Sequence, residues 1–456
     1  MTGPAAPAPS GGPVVPAFTG GPAVLAASGG PAVPASTGGP AVPASTGGPA
    51  VPASTGGPAV PASSGGSLPG GSGGVPADGL PDEAFREVAP AYGSGSLADL
   101  MPSVCAVLGV PGAVDVLGLA ETLDGVDRVG VLLVDGLGAY QLPTAAPFAP
   151  VLTDLAAGSR TLTAGFPSTT PVSLVTVGTG VPPGVHGVLG FTVRRPDGRV
   201  LNHIAWGDDP DPYLWQPMPT TLETAAAAGV PVTVVSRGLY RGTGLSVAAN
   251  RGGRYHVADD GPAVADGMLA ALRAGPGLVY GYHPDLDKAG HEDGVCSPLW
   301  QDAARGVDLL LDRIVHGLPA GAALLVIADH GQLNVPIEGR YDVAALSGDG
   351  VIGVAGEPRA RYLYVADGAL DDVLANCRAV LGADAHVVSR DEAIAEGWYG
   401  PMAPAHAGRI GDVVIICRNR AVVVAPAWEP ERAGQLVAYH GSVTAAEMTV
   451  PLLIAR

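Results

Sequence analysis

The chain has 456 residues and carries 24 Lys and Arg against 42 Asp and Glu, which gives a net charge of −18. Counterion release from phosphates needs a basic face, so this composition argues against a nucleic-acid polymer or an anionic membrane surface as partner. The first residues have no positively charged stretch followed by an apolar one, and no apolar run approaches the length of a bilayer span, so we expect neither a signal peptide nor a membrane-spanning segment. We therefore expect a cytoplasmic protein.

The first part of the chain differs from the rest, because no charged residue occurs before Asp78. A nine-residue repeat, Gly-Gly-Pro-Ala-Val-Pro-Ala-Ser-Thr, occurs three times between Gly29 and Thr55 and once more, with a changed ending, to Ser64. Such a repeat lacks the large apolar side chains needed to offset its backbone entropy. We predict a disordered Gly/Pro/Ala-rich tail over 1–77.

From Asp78 onward, β-branched runs alternate with Ala/Leu-rich segments of helical period. This pattern predicts an α/β fold, with a central, mostly parallel sheet and helices on both of its faces. The predicted strands are 128–134, 231–235, 278–281, 324–328, 361–365 and 412–416. The predicted helices are 171–177, 221–228, 262–274, 298–315 and 368–381, with a further helix-like stretch over 444–454. We expect one domain over 78–456, with insertions at about 194–219 and 336–409.

Metal-binding residue types follow several predicted strands. Ligands of open α/β sheets bind at the carboxyl ends of the strands, so these side chains are expected to converge. The candidates are three carboxylates and three imidazoles: Asp135, Asp287, His291, Asp329, His330 and His440. A mixed N/O set of this kind suits zinc or manganese rather than magnesium or calcium. Each Asp alone fits a turn or helix cap as well, and only the joint occurrence favours a site.

The segment Phe166-Pro-Ser-Thr-Thr170-Pro171 supplies a candidate nucleophile. With Pro171 as the first helical residue, Thr170 is predicted at the N-cap. A capping role alone would explain a Thr there. A hydroxyl at a helix N-terminus also lies where free amide groups hold a phosphate, and a nearby metal would activate it for attack.

The ordered set of motifs resembles the alkaline phosphatase superfamily, and within it the type I phosphodiesterases, or nucleotide pyrophosphatases. The motifs are Asp135-Gly, Phe166 to Thr170, Asp287-Lys-Ala-Gly-His291, Asp329-His330-Gly and His440-Gly. The resemblance spans roughly Arg128 to Arg456, and it implies that the domain over 78–456 is catalytic and hydrolyses phosphodiester or pyrophosphate bonds of small-molecule, nucleotide-type substrates.

The same resemblance implies a two-metal site, most simply with zinc, although manganese is possible. Asp287, His291 and His440 would bind one ion, and Asp135, Asp329 and His330 would bind the other. Thr170 would attack phosphorus and form a covalent phosphothreonine intermediate.

Two departures from the family pattern concern the substrate. The resemblance implies an Asn that holds a nonbridging oxygen at the position of Phe191, and a phenyl ring cannot donate that hydrogen bond. Monoesterases use an Arg near the nucleophile, and none occurs over 165–190. The second departure favours diesters. The alternatives are a phosphomonoesterase or phosphomutase of the same superfamily, or a non-catalytic scaffold member.

Overall fold

The structure of the protein is a computed structural model that describes residues 77–456. The predicted disordered tail over 1–77 therefore lies outside the described residues, apart from Ala77. In the part that is described, no helix is both long and apolar enough to cross a membrane.

Residues 77–456 contain 17 β-strands and 16 α-helices. The strands are β1 (Arg128–Val134), β2 (Arg160–Thr163), β3 (Thr192–Arg194), β4 (Val200–Asn202), β5 (Val232–Ser236), β6 (Arg254–Val257), β7 (Gly277–His283), β8 (Ala322–Ile327), β9 (Leu333–Asn334), β10 (Arg340–Asp342), β11 (Val351–Glu357), β12 (Ala360–Val365), β13 (Ala385–Ser389), β14 (Val413–Cys417), β15 (Val422–Val424), β16 (Ala438–Tyr439) and β17 (Thr449–Ala455). The helices are α1 (Leu97–Val107), α2 (Leu119–Thr122), α3 (Leu142–Ala145), α4 (Pro150–Ala156), α5 (Thr170–Thr179), α6 (Pro183–His186), α7 (Pro212–Trp215), α8 (Thr221–Ala227), α9 (Gly244–Asn250), α10 (Gly261–Ala274), α11 (Asp285–Asp293), α12 (Pro298–Gly317), α13 (Val343–Ser347), α14 (Leu370–Leu381), α15 (Arg390–Ala395) and α16 (Ala445–Met448).

The main sheet has seven strands in the order β2-β17-β8-β1-β7-β5-β6. Strand β1 lies between two parallel neighbours, with Arg128 opposite Gly277 of β7 and Ala322 of β8. Strand β17 is antiparallel to both of its neighbours, β8 and β2, and the other pairs in this sheet are parallel. This arrangement confirms the predicted α/β fold with a mostly parallel central sheet.

Local sequence explains why the long helices form where they do. In α12, Ser297 accepts a hydrogen bond from the amide of Trp300 at 3.1 Å and caps the helix, and Pro298 takes the first helical position. Its buried side chains recur at helical spacing: Trp300, Ala304, Val307, Leu311 and Ile314. This face packs against α10, which in turn contacts β7, β5 and β1.

The predicted elements are present, with one error. The six predicted strands correspond to β1, β5, β7, β8, β12 and β14, and the five predicted helices to α5, α8, α10, α12 and α14. The predicted helix over 444–454 is wrong, because only Ala445–Met448 is helical and Thr449–Ala455 is strand β17. Pro451 would break a helix, and the β-branched and Leu residues around it fill the gap between β8 and β2.

A second sheet of four antiparallel strands, in the order β11-β12-β14-β13, has its own buried cluster with α14. The end of β11 is fixed against β3, because the Thr192 hydroxyl donates to the Gly356 carbonyl at 2.8 Å. Three of these strands lie in the predicted insertion at 336–409, and the predicted insertion at 194–219 contains β4 and α7. The division into one domain with insertions stays a prediction.

Candidate active site

Five of the six predicted metal-binding residues come after the carboxyl ends of main-sheet strands, and the sixth, His440, comes after a strand of the two-stranded sheet β16-β9. Asp135 follows β1 directly, Asp329 and His330 follow β8, Asp287 and His291 lie in α11, and His440 follows β16. Two groups offer ligand atoms that all lie within 4.8 Å of one another. One contains Asp135, Asp329 and His330, and the other contains Asp287, His330 and His440.

The first of these groups has the same members as one predicted ion site. The second group differs from the other predicted ion site, because it contains His330 where His291 was predicted. Nε2 of His291 lies 3.2 Å from Nε2 of His440 and 3.3 Å from Oδ2 of Asp287. The His330 and His440 rings stack with centroids 3.5 Å apart, so His330 lies between the two groups. All six residues are thus brought together, and their roles as ligands stay a prediction.

A glycine makes this convergence possible. Gly136 has φ +75°, and a Cβ atom there would lie 2.9 Å from Cα of Asp287. The loop after β1 can therefore approach α11 only without a side chain at position 136. The Gly136 amide also donates to Oδ1 of Asp329 at 3.0 Å, as does the His330 amide. Both contacts fix that carboxylate and leave its other oxygen, Oδ2, without a hydrogen-bond partner.

Main-chain carbonyls orient the three imidazoles. Nδ1 lies 2.8 Å from the Ala438 carbonyl in His291, 3.0 Å from the Ser168 carbonyl in His440, and 3.3 Å from the Gly331 carbonyl in His330. A carbonyl only accepts hydrogen bonds, so Nδ1 carries the proton in each ring. The Nε2 lone pairs then remain for a metal ion.

The electrostatics of the site also fit divalent cations. Burial raises the pKa of Asp135, and the neighbouring Asp329 and Asp287 carboxylates raise it further. Burial lowers the pKa of His440, and the nearby His330 and His291 lower it further. Oδ1 of Asp135 has no hydrogen-bond partner. Converging buried carboxylates with unpaired oxygens, next to imidazole nitrogens, form a donor set that fits a divalent metal ion.

Thr170 lies at this cluster, one position later in its helix than predicted. Thr169 is the N-cap with extended φ −136° and ψ 148°, Thr170 is the first helical residue and Pro171 the second. Because Pro is tolerated at either of the first positions, the motif alone left this register open. Thr170 Oγ1 lies 3.2 Å from His330 Nε2. The Ser173 hydroxyl donates to the Asp329 carbonyl at 2.8 Å and ties α5 to the same segment.

A cavity of about 710 Å³ opens over Thr170 and over four of the predicted ligands, Asp135, Asp287, His291 and His440. Its other walls are largely aromatic and apolar, with Phe191 on the segment before β3. Three arginines in the wall have carboxylate partners: Arg237 pairs with Asp285, Arg361 with Glu429 and Arg432 with Glu292. A concave, mostly apolar cavity with a few convergent polar groups is the usual form of a small-molecule site.

Sequence reasoning missed three groups at this site. The Tyr282 hydroxyl donates to Oδ2 of Asp135. Glu357 is buried and lines the cavity from the four-stranded sheet. A buried pair of Arg359 and Glu447 holds the loop after His440. Only Tyr282 carried a local signal, as a polar group near the end of a buried strand, because the other contacts join distant segments.

Comparisons with known proteins identify a family and a fold. Residues 129–443 match the family model of the type I phosphodiesterases / nucleotide pyrophosphatases. No curated protein matches the chain. Among solved structures, murine ectonucleotide pyrophosphatase/phosphodiesterase 5 is similar with a TM-score of 0.56 and 18% identity, over 72% of this chain and 88% of that chain. Phosphonoacetate hydrolase from Sinorhizobium meliloti 1021, in complex with phosphonoformate, has a TM-score of 0.55 and 21% identity, over 73% and 91%.

The family match covers both predicted ion sites and the candidate nucleophile, and the structural likeness shows a common fold. The resemblance drawn from the motifs is thereby confirmed, and phosphate ester hydrolysis is the activity that family and fold support. The chain belongs to the type I phosphodiesterase / nucleotide pyrophosphatase family of the alkaline phosphatase superfamily.

Proposed function

We propose that this protein hydrolyses phosphodiester or pyrophosphate bonds of small, nucleotide-type phosphate esters, with Thr170 as nucleophile and two divalent metal ions, most simply zinc. The observation that carries the proposal is the position of the Thr170 hydroxyl. It stands at the N-terminus of α5, 3.2 Å from Nε2 of His330, and lines the same cavity as four of the six candidate ligands, Asp135, Asp287, His291 and His440. A murine relative crystallised as an inactive variant in complex with AMP supports a nucleotide-type substrate.

The six candidate ligands would hold the metal ions in the two groups described above. Divalent cations bound there would supply positive charge that stabilises the entering and leaving oxygens of the phosphate. Their oxygen and nitrogen donors come from four separate chain segments, which Gly136 and the carbonyl contacts of the imidazoles keep in place. The mixed carboxylate and imidazole set favours zinc, as the sequence predicted.

Thr170 would act in two displacements at phosphorus. In the first, Thr170 Oγ1 forms a bond to phosphorus while the bond to the leaving oxygen breaks, and that oxygen departs as an alcohol or a phosphate. In the second, water attacks the phosphothreonine, the Thr–phosphorus bond breaks and the hydroxyl is restored. The N-terminus of α5 places the positive end of its dipole at Thr170, where the phosphate carries its negative charge.

Diesters are favoured over monoesters by the charges near the nucleophile. No Arg occurs over 165–190, and the three arginines in the cavity wall, Arg237, Arg361 and Arg432, already pair with carboxylates. A monoester dianion would have no free guanidinium to neutralise its second charge, whereas a diester carries one charge only.

The test compares bis-p-nitrophenyl phosphate with p-nitrophenyl phosphate, in the presence of zinc or manganese and with EDTA. We expect metal-dependent hydrolysis that is faster for the diester. Thr170→Ala should abolish it, whereas Thr170→Ser keeps a hydroxyl and should retain part of the activity. Acid-quenched enzyme should carry the added phosphoryl group on Thr170 by mass spectrometry.

Three results would contradict the proposal in different ways. Diester hydrolysis by Thr170→Ala at the wild-type rate would contradict the assignment of Thr170 as the nucleophile. A monoester preference would promote the phosphomonoesterase or phosphomutase alternative. A purified protein without bound metal and without activity on either ester would favour a non-catalytic member.

A further inference from the structure

A buried carboxyl group, Glu357, lies beside the nucleophile segment and is not used in the steps above. It is the last residue of β11 in the four-stranded sheet, is 4% exposed, and lines the cavity. Its Oε1 atom has no hydrogen-bond partner. Buried polar atoms are nearly always paired, so an unpaired carboxyl oxygen next to a substrate cavity requires an explanation.

The neighbours of Glu357 are the chain segments that carry the nucleophile Thr170 and the predicted ligand His440. A Cβ atom on Gly441, the residue after His440, would lie 2.8 Å from Cγ of Glu357. The Thr169 side chain and the main chain of Phe191 interact with the same carboxyl group. Thr169 directly precedes Thr170. Glu357 is therefore in contact with residues adjacent in sequence to both the nucleophile and a predicted metal ligand.

The side chain of Phe191 provides no hydrogen bond to a bound phosphate. Phe191 lines the cavity, but its ring offers no hydrogen-bond donor to a phosphate oxygen. The Phe191 main chain already interacts with Glu357. The Glu357 carboxyl group therefore lies next to Phe191, whose side chain cannot donate a hydrogen bond to the phosphate. The hydrogen bond from the Thr192 hydroxyl to the Gly356 carbonyl holds the end of β11 in this place.

We propose that Glu357 contacts the substrate and donates a hydrogen bond from its carboxyl group to a nonbridging oxygen of the phosphate. This inference rests on the phosphoester hydrolysis proposed above. Nonbridging phosphate oxygens only accept hydrogen bonds, so Glu357 must act as the neutral acid.

The surroundings of Glu357 support the neutral form. Burial raises the pKa of Glu357 to about 8, although the Thr169 side chain, the Phe191 main chain and Arg361 act in the opposite direction. Arg361 is itself committed to Glu429 and to the Val423 carbonyl. A carboxylic acid that an apolar site keeps neutral at neutral pH is a known kind of hydrogen-bond donor in enzymes.

The experiment compares wild-type protein with Glu357→Gln and Glu357→Ala, each loaded with zinc. Gln keeps a donor at the same position, and Ala removes it. The readouts are kcat/KM for bis-p-nitrophenyl phosphate and the affinity for inorganic phosphate by calorimetry. We expect Glu357→Ala to lower both by about 10- to 100-fold, the value of one hydrogen bond to a charged group, and Glu357→Gln to stay within about fivefold of wild type.

The controls separate contact with substrate from folding. Glu338→Gln removes an exposed carboxylate outside this cavity and should change neither readout. Zinc content and melting temperature show whether each variant is folded and loaded. If Glu357→Ala is misfolded, the comparison of Glu357→Gln with wild type still decides, because loss of activity in a folded, zinc-loaded Gln variant contradicts hydrogen-bond donation.

The outcomes distinguish this inference from the proposed function. Thr170-dependent hydrolysis that is unchanged in Glu357→Ala, or equally impaired in the Gln and Ala variants, would overturn the role of Glu357 alone. Phosphate binding that depends on Glu357 in a protein without hydrolytic activity would overturn the proposed function alone. Absence of both hydrolysis and phosphate binding in the wild-type protein would overturn both.

Discussion

A buried ion pair supports the loop that carries His440, and its loss should destabilise the protein measurably. Arg359 and Glu447 are both fully buried, with Nη2–Oε2 at 2.6 Å and Nε–Oε1 at 3.0 Å. Glu447 also accepts hydrogen bonds from the Ser442 amide at 2.9 Å and the Thr444 hydroxyl at 2.6 Å. Glu447→Gln removes the charge with little change of volume and leaves the Arg359 guanidinium buried without a counterion.

The expected magnitude follows from the burial of this pair. Removing one partner of a buried ion pair costs about 3–5 kcal/mol of unfolding free energy. Unfolding entropy near the melting temperature is about 2.1 cal/mol/K per residue, so a folded part of about 380 residues should melt about 4–6 °C lower.

Differential scanning calorimetry of the zinc-loaded protein measures this shift. Asp302→Asn is the matched control, because it breaks the Arg305–Asp302 pair on the surface of α12, where the side chains are 48% and 74% exposed. That pair is worth less than about 1 kcal/mol, so the control should melt within about 1 °C of wild type. A Glu447→Gln variant that melts as the control does would refute the reasoning. The double variant Arg359→Met/Glu447→Leu should recover only part of the loss, since it buries no unpaired charge but leaves the Ser442 amide and the Thr444 hydroxyl without their acceptor.

Two further predictions concern metal affinity and pH. Tyr282→Phe removes the hydroxyl that donates to Asp135 and should weaken zinc binding by about 10-fold or more in titrations of chelator-stripped protein. Tyr280→Phe is the control, because the Tyr280 hydroxyl has no hydrogen-bond partner and its loss should leave zinc affinity unchanged. Equal zinc affinities of the two variants would contradict a role of Tyr282 in positioning Asp135. Burial lowers the pKa of His203 to about 4, and the neutral ring accepts a hydrogen bond from Trp215 at 3.1 Å. A depressed folded-state pKa gives stability that is present above pH 6.5 and lost as the pH falls towards 4, here about 2–3 kcal/mol by urea unfolding. His203→Gln should flatten that part of the profile, and an unchanged profile would show that another group titrates.

The parts of the site that were predictable from the sequence are those with a local signal. Asp135 and Asp329 each follow an apolar run, and an acid directly after a buried strand of a parallel sheet points to the edge where ligands bind. The order of the motifs then indicated the family. The limits of strands such as β1 were predictable for the same reason, since a run of buried residues ends where the first charged residue stands.

Other parts depend on contacts between distant segments and left no pattern in the sequence. Glu357 meets Thr169 and Gly441 across 188 and 84 positions, so neither spacing nor period marks it. The register of Thr170 was missed by one residue because either Thr of the motif can cap a helix that begins near Pro171. The error over 444–454 has the same origin, because Leu452 and Ile454 gain strand partners only from β2 and β8.

The place of β17 in the sheet has a consequence for biosynthesis. Of the seven strands in the main sheet, β17 is the latest to be synthesised, yet it is an interior strand between β2 and β8. Until residues 449–455 are available, β8 exposes a row of unpaired amide and carbonyl groups beside an apolar face, a template for pairing with other chains. Nascent or truncated chains that stop before Thr449 should therefore be prone to aggregation, and the segment from His440 onward both completes the set of predicted metal-binding side chains and closes the sheet.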